Sequence, residues 1–487
     1  MQVIFEKSVK GRNGLQLPKS GVPAQGFCPE HLKRQKLPTL PEISELEVVR
    51  HYTALSHRNY SVDTQPYPLG SCTMKYNPKF IETVALDPGF AQLHPLLPQL
   101  PQGEDLCQGA LRVLYDMERL LCEITGMDHF TLQPLAGAHG ELTGVMLIAA
   151  YHRAKGNQKK IILIPDSAHG TNPASAAIAG YTTVAVPTNS RGVMDLDELQ
   201  RRLTPDVAGL MLTCPNTLGI FNSDIDRICK MVHAVDGLMY YDGANLNAIL
   251  GKCRPGDIGF DIVHVNLHKT FATPHGGGGP GAGPVGVRHM LEPYLPISRV
   301  RTKPEGTYYL DYDYPESIGY LASFYGNFAV ILKAYAYILL LGREGLIETG
   351  KHAVLNANYV LHGIKGHYDI PYTQRCMHEF VCSASRQAGN GVHAQDIAKF
   401  LIDEGIHPPT VYFPLIVKEA LMIEPTETET KGSLDLLIQA MIKAAELSRE
   451  DPARFQNYPQ TTPIHRPDEV RAARVIDTNF FASLASE

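Results

Sequence analysis

The chain has 487 residues, room for two domains, with 44% hydrophobic and 19% charged residues, an ordinary balance for a folded globular protein with a sizeable core. Its 44 basic and 50 acidic residues give a net charge of −6, and they are spread along the chain. No basic stripe or arm points to nucleic acid. Nine scattered cysteines with no CxxC pair exclude a disulfide framework and offer no spaced zinc ligands, so a reducing cytoplasm is the expected location and no metal is expected.

The first forty residues are rich in Pro, Gly and Lys and read as an extended arm. They hold no secretory h-region and no transit-peptide composition. Residues 42–57 carry a helical pattern, with Ile43, Leu46, Val49 and Leu55 on one side. The segment 66–78 then breaks it with Pro and Gly. From about 105 to 300, helix and strand signals alternate as a parallel α/β sheet requires. A helix is predicted over 109–125. Short apolar runs rich in β-branched residues at 160–165 (KIILIP), 180–186, 207–213, 238–242 and 262–267 read as strands covered on both faces. The longest apolar stretch, 329–341, contains Lys333 and two tyrosines and is too short to span a bilayer, so no membrane is implied. It belongs to a long helical region, 327–363, linking the large domain to a smaller α+β lobe with strand-like 379–383 and helical 395–403. The resulting domain division is an N-terminal arm and helix over 1–70, a large α/β domain over 71–350, and a small C-terminal α+β domain with tail over 351–487.

The most informative motif is NLHKTFATPHGGGGPG at 266–281. A lysine directly after an apolar strand, followed by a glycine-rich loop, suits a Schiff-base lysine near a backbone that a ligand can approach closely. By itself it reads equally well as a surface lysine beside a flexible loop. Asp242 tips that balance. It ends the strand LMYYD, 27 residues before Lys269, which leaves room for one crossover and the next strand. Pyridoxal phosphate (PLP) needs a carboxylate against its pyridine nitrogen, because the protonated ring is the better electron sink. An acid at the end of one strand and a lysine at the end of another can face the two ends of one such cofactor.

Two further segments complete a cradle. LAGAHGELTG at 135–144 sets small residues ahead of a helical run, and a helix start is a natural phosphate seat. Without the Gly-Lys-Ser/Thr ending of a P-loop it does not suit a nucleoside triphosphate. A close-packed helix start is the commoner meaning of such a segment read alone. DSAHGTNPAS at 166–175 places His169 at a strand's carboxyl end, where an imidazole can stack on the cofactor ring; a buried structural histidine is again the commoner case. His264 and His268, both expected in the strand, sit too far apart to form a metal pair, and no HExxH pattern is present.

At these residues the sequence resembles the PLP-dependent glycine decarboxylase, or P-protein, family of the glycine cleavage system. The resemblance runs through most of the chain. It is carried by PLGSCTMKYNP (68–78), AGAHGE (136–141), AHGTNPAS (168–175), DGAN (242–245), the Lys269 segment, MHEFV (377–381), IEPTETE (423–429) and PDEVRAAR (467–474). In some members the enzyme is split in two, and this chain resembles the lysine-bearing second subunit. Its opening IFEKS with Gly11 and Arg12 resembles that subunit's start, which argues against a cut fragment.

The resemblance implies the aminotransferase-like fold of PLP-dependent enzymes of type I, with a large mostly parallel sheet domain and a smaller C-terminal α+β domain. It implies a lysine-less subunit 1 as partner in a heterotetramer with two of each chain, a lipoylated H-protein as acceptor and glycine as substrate. Lys269 is then the internal aldimine lysine and, with His169, catalytic. Asp242 pairs with the pyridinium nitrogen, and His169 stacks on the ring. Ala136, Gly137, Ala138 and His139 hold the phosphate, and Asn245 faces the cofactor's 3′-oxygen. His139 stands where many relatives have Gln, and Cys214 where Asn is commoner, which puts fine contacts in doubt. Cys72 lies in a segment that an entrance for the lipoyl arm would use, though a small buried cysteine fits equally. His378 and 424–429 are candidates for the substrate side. The rivals are another PLP enzyme of the same fold, acting on a larger amino acid, and a non-catalytic scaffold subunit. The joint presence of Lys269 and Asp242 argues against the scaffold.

Overall fold

The computed structural model describes residues 2–16, 18–19, 21, 28–36, 38–274, 276 and 279–476. Two compact units emerge, 1–61 together with 466–487, and 62–465. In the first, the helix Glu45–Ser56 starts at Ser44, which accepts from Glu47 N and forms a capping box with the Glu47 side chain, the sequence-local device that satisfies amides at a helix start. Arg12 pairs with Glu47 at 2.7 Å. Of the apolar stripe expected on this helix, Ile43 is buried, while Leu46, Val49 and Leu55 remain exposed. An arm has no core of its own to cover them: among the described residues, every buried apolar cluster falls between 81 and 458.

The second unit is built on a seven-stranded sheet. In chain order the strands are β1 (His129–Thr131), β2 (Ile161–Pro165), β3 (Thr182–Val186), β4 (Val207–Thr213), β5 (Leu238–Gly243), β6 (Ile262–Val265) and β7 (Val285–Val287), and their spatial order is β1-β7-β6-β5-β4-β2-β3. The five from β3 to β6 run parallel, and β7 and β1 close the edge antiparallel. Every residue of β4, β5 and β6 is buried, which is why these strands read as unbroken apolar runs rather than alternating ones. The helices α1 (Gln108–Thr125) and α2 (Gly137–Ala154) bury apolar faces in this region.

The helix α3 (Phe328–Ile364) is interrupted at Gly342, whose φ of 59° and ψ of −173° are not helical. It leads to a smaller lobe with an antiparallel sheet ordered β8-β10-β9, where β8 is Phe380–Ser383, β9 is Thr410–Val411 and β10 is Ala420–Ile423. The helices Ala394–Asp403 and α4 (Lys431–Glu450) complete its separate core, which includes Phe400, Leu421, Ile423, Leu437 and Phe455.

One charge ties these parts of the unit together. The Lys75 ammonium is fully buried, 2.7 Å from Glu427 Oε1, 2.7 Å from the Thr270 carbonyl and 3.0 Å from Asn247 Oδ1. Burial alone would lower its pKa, but Glu427 and the Tyr337 hydroxyl reverse that and hold it above the ordinary lysine value. Removing one partner of such a pair leaves the other buried and uncompensated. Lys75→Met is therefore expected to destabilise the chain by about 3–5 kcal/mol in urea unfolding at neutral pH. Adding Glu427→Gln to that variant should recover part of the loss; a total loss equal to the sum of the two single effects would show that the pair is not the cause.

Candidate active site

Lys269 was expected at a strand end, but β6 stops at Val265 and the chain winds into the helical turn Leu267–Thr270. Thr270 N closes that turn on the Asn266 carbonyl at 3.2 Å. Leu267 and Thr270 are buried, whereas His268 and Lys269 are only partly so. A strand would alternate these side chains; the turn instead sends Leu267 and Thr270 inward and leaves Lys269 at the rim of a cavity. His268 lies on this turn as well, not in the strand. In the following loop, His275, Gly277 and Gly278 lie outside the described residues.

The cavity encloses about 190 Å³ and is lined by Ser71, Gly137, Ala138, Glu141, His169 and Lys269, with Asp242, Asn266 and His268 among the others. Five of the residues singled out in the sequence thus meet here: Lys269, Asp242, His169, Gly137 and Ala138. Ala136, His139 and Asn245 are not among the lining residues. Ala136 is the extended residue that starts α2, and His139 Nδ1 accepts from Leu135 N at 3.2 Å. Asn245 is buried, donating from Nδ2 to the Pro215 carbonyl at 2.9 Å and to Glu379 Oε1 at 3.2 Å.

Asp242 and His264 are register partners on the adjacent parallel strands β5 and β6, so both side chains leave the same face. His264 Nε2 lies 3.4 Å from Asp242 Oδ1, and Tyr240, two residues earlier on β5, meets His264 Nδ1 at 2.6 Å. The phenol can donate to Nδ1, which places the ring proton on Nε2, towards Asp242. Asp242 also accepts from Ala244 N at 3.0 Å and Asn172 Nδ2 at 3.2 Å. Burial alone would raise this carboxyl, but His264, the Ala244 amide and Lys269 outweigh it and hold Asp242 below the ordinary aspartate value. It stays ionised. His264 is lowered, chiefly by burial.

Glu141 behaves oppositely. Burial first, and repulsion from Asp242 second, push it up to about 8. Its Oε1 accepts from Thr171 Oγ1 at 2.8 Å, and its Oε2 has no partner among the described residues. At neutral pH it is a carboxylic acid with a proton to donate. In the sequence, Glu141 stands inside the AGAHGE motif with no assigned role. The available signal was a glutamate one turn into an otherwise small and apolar helix face.

His169 is lowered, mainly by burial. Its Nδ1 accepts from Thr171 N at 3.3 Å, and its ring meets Phe413 edge-on with centroids 5.9 Å apart. Both contacts restrict the ring's plane. Beside it, the first intrahelical bond of α2 runs from Gly140 N to the Ala136 carbonyl, 2.9 Å, so the preceding amides are those a helix start leaves open to an anion. The close approach needs glycine: a Cβ at Gly137 would sit 2.6 Å from Asn266 Oδ1, and one at Gly283 would sit 2.1 Å from the Ala136 carbonyl.

These residues fit PLP. The fit rests on a helix start for a phosphate, an ionised carboxylate for a ring nitrogen and a lysine for a carbonyl. It rests also on buried polar atoms without partners among the described residues, Glu141 Oε2, Asn172 Oδ1 and Asn266 Oδ1, which a polar ligand would satisfy.

Residues 22–300 match the family model described as glycine cleavage system P-protein, and residues 349–457 match that of the glycine dehydrogenase C-terminal domain. The chain belongs to the glycine cleavage system P-protein family. It is 55% identical over 476 residues to a probable glycine dehydrogenase (decarboxylating) subunit 2 of Caldanaerobacter subterraneus, covering 97% of each chain. It is 56% identical to the protein of the same name from Exiguobacterium sibiricum, covering 97% of this chain and 96% of that one. Among solved structures, an inhibitor-bound glycine decarboxylase (P-protein) superposes with a TM-score of 0.71 at 18% identity, covering 86% of this chain and 93% of that one. A sphingosine-1-phosphate lyase from Burkholderia pseudomallei gives 0.63 at 14%, covering 86% and 95%. The fold is the aminotransferase-like fold type I.

The raised Glu141 carboxyl has a measurable consequence. Between its unfolded value near 4.5 and its folded value of about 8, the folded chain keeps a proton that the unfolded chain has lost, so this group makes stability fall as pH rises through that window. Glu141→Gln is expected to flatten the decline in urea midpoint of the cofactor-free chain between about pH 5 and pH 8. An unchanged slope would mean that Glu141 is ionised in the folded chain.

Proposed function

We propose that the chain is the lysine-bearing half of a two-subunit glycine decarboxylase, which releases CO2 from glycine and passes the aminomethyl group to the lipoyl arm of an H-protein. The observation that carries this reading is the meeting of Lys269, Asp242 and the start of α2 around one cavity, in a chain so close to proteins named as the second subunit of glycine dehydrogenase. PLP, when bound, supplies an electron sink for the pair left as the carboxylate departs.

The chain's own residues do the rest. Lys269 Nζ would hold the cofactor, at the position that the amine of glycine would take. Asp242, held ionised by His264 and the Ala244 amide, keeps a proton on the ring nitrogen. His169 would lie against the ring. The amides of Gly137, Ala138 and His139, following Ala136, take the phosphate, and the protonated Glu141 offers a hydrogen bond within the same pocket. Asn245, outside the cavity lining with its Nδ2 donating to the Pro215 carbonyl and to Glu379, is assigned no cofactor contact. The glycine carbon then bonds to one lipoyl sulfur; the disulfide breaks, and the second sulfur leaves with the electron pair and takes up a proton.

The name subunit 2 in the relatives supports a subunit 1 as partner; in the proposed assembly that partner lacks the lysine and two of each chain come together. No helix among the described residues is long and apolar enough to cross a membrane. A cytoplasmic setting agrees with the free thiols of all nine cysteines.

Lys269→Ala is expected to abolish the visible absorbance that develops when PLP is added. It should also cut exchange of labelled bicarbonate into glycine by at least about a thousandfold. The unmodified chain should exchange only with subunit 1 and lipoylated H-protein present. Full exchange by the Ala variant would overturn the assignment of Lys269. No exchange by the complete, PLP-loaded mixture would move the reaction to a different amino acid.

A further inference from the structure

Lys269 Nζ donates to the Ser71 carbonyl at 2.7 Å, so whatever fixes Ser71 fixes the lysine. The segment carrying Ser71 runs along the small lobe. Glu424 N donates to the Pro68 carbonyl at 3.3 Å, Leu69 bridges Ile423, and Thr410 Oγ1 donates to the Gly70 carbonyl at 2.8 Å. It then passes through two strained residues, Ser71 at φ 64° and Thr73 at φ 47°. Such conformations persist only where their surroundings hold them.

Two buried carboxylates do the holding. Glu379 Oε2 accepts from Ser71 N at 2.7 Å, and Glu424 Oε2 accepts from Thr73 N at 3.0 Å. Both side chains are wholly inaccessible, and their oxygens lie within 4.8 Å of one another and of the His378 ring. Burial pushes both carboxyls up, and Glu424 pushes Glu379 further. Two like charges this close do not both stay ionised.

The bonds decide which keeps its charge. Glu379 Oε2 faces the Ser71 amide and Oε1 faces Asn245 Nδ2, whose orientation is set by its 2.9 Å bond to the Pro215 carbonyl. Both neighbours can only donate. Glu424 Oε1 instead faces Thr73 Oγ1 at 2.6 Å, a hydroxyl that can accept as well as donate. His378 Nε2 stands 3.8 and 3.9 Å from the two glutamates, beyond bonding distance, and burial pushes its pKa down to about 3, so it stays neutral. The other groups facing the pair are Lys269, the half-buried Cys72 thiol, which burial raises, and Glu427, which is paired with Lys75.

We propose that Glu379 and Glu424 share one proton, carried on Glu424 Oε1 and donated to Thr73 Oγ1, and that the charge left on Glu379 positions the Ser71 carbonyl that holds Lys269. The two glutamates are positioning residues, and the inference rests on Lys269 being the cofactor lysine but not on which amino acid is the substrate. Glutamine is the isostere of a protonated glutamate, which gives the two positions opposite expectations.

The test compares Glu424→Gln with Glu379→Gln in the full chain, by infrared difference spectroscopy before PLP is added and by the rate of PLP uptake after. Subtracting the Glu424→Gln spectrum from that of the unmodified chain should reveal one protonated-carboxyl band, with the thermal midpoint unchanged; subtracting that of Glu379→Gln should reveal none. PLP uptake should be about tenfold slower in Glu379→Gln than in Glu424→Gln, the expected loss for a charge-assisted bond. A band lost from Glu379→Gln and kept in Glu424→Gln overturns the assignment. Loss from neither also overturns it, and is the result expected if the cluster held a cation. Equal uptake in the two variants overturns the positioning role. Should Glu379→Gln fail to fold, the band in Glu424→Gln alone decides. Because the band is read without cofactor, this outcome is separate from that of the exchange assay.

Discussion

A fully buried ammonium has to be met by oxygen on every side or it costs several kcal/mol, and Lys75 imposes that condition on the whole neighbourhood of the site. Its oxygens come from parts of the chain far apart in sequence: the Thr270 carbonyl, one residue past Lys269; Asn247, just beyond β5; Tyr337 on α3; and Glu427, just beyond β10 of the small lobe. The charge is satisfied only when all four arrive together. The placement of Lys269 is thereby coupled to the closure of the small lobe on the 66–75 segment. A flexible surface lysine, the alternative that the motif alone left open, has no such restraint one residue away.

Within the site, the fold separates two carboxyls that begin as chemically similar groups. Asp242 is ringed by donors and by His264, so it is ionised in spite of complete burial. Glu141 is buried with Asp242 for a neighbour, which the Thr171 and Ser175 hydroxyls do not offset, so it keeps its proton to about pH 8. Environments that push paired acids apart in this way assign their roles: one holds positive charge, the other donates. The division follows from register. Parallel pairing of Asp242 with His264 puts an imidazole beside the aspartate, and the first turn of α2 has nothing comparable to offer Glu141.

What was legible in the sequence follows the same logic. The strands β2, β4, β5 and β6 could be read because burial on both faces leaves long apolar runs. In contrast, β3, expected to be covered on both faces, is an edge strand with only Val186 buried and was legible from its β-branched content alone. The three-residue strands β1 and β7 could not be read, because His-Phe-Thr and Val-Gly-Val carry too little pattern, and their antiparallel pairing joins residues some 150 positions apart. Lys269, Asp242, His169 and Gly137 were legible as chemistry placed at strand ends and a helix start. The helical turn under Lys269 was not, since no Gly or Pro separates Asn-Leu-His-Lys from the strand before it. His264 was weighed only as a metal ligand; its contact with Asp242 depends on a register that sequence does not print. Glu379 stood unmarked within MHEFV and Glu424 was a candidate for the substrate side, while their partners Ser71 and Thr73 lie more than three hundred residues away.

The charges around Lys269 also form a pattern that no single contact shows. Lys75 is answered by Glu427, and Lys269 acts on both Asp242 and Glu379, while Glu141 is raised to about 8 and the shared proton proposed above leaves one of Glu379 and Glu424 neutral. The positive and ionised acidic groups therefore come close to balance before any ligand enters. A dianionic phosphate would upset that balance if it approached the carboxylates, but the start of α2 lies where open amides and the helix dipole can meet it without another cation. The small lobe thus supplies acids that fix the lysine, the sheet supplies the acid that faces the ring, and the helix supplies the anion seat. Each uses a different source of charge, so binding a polar cofactor in this interior need not strip any of the three of its partner.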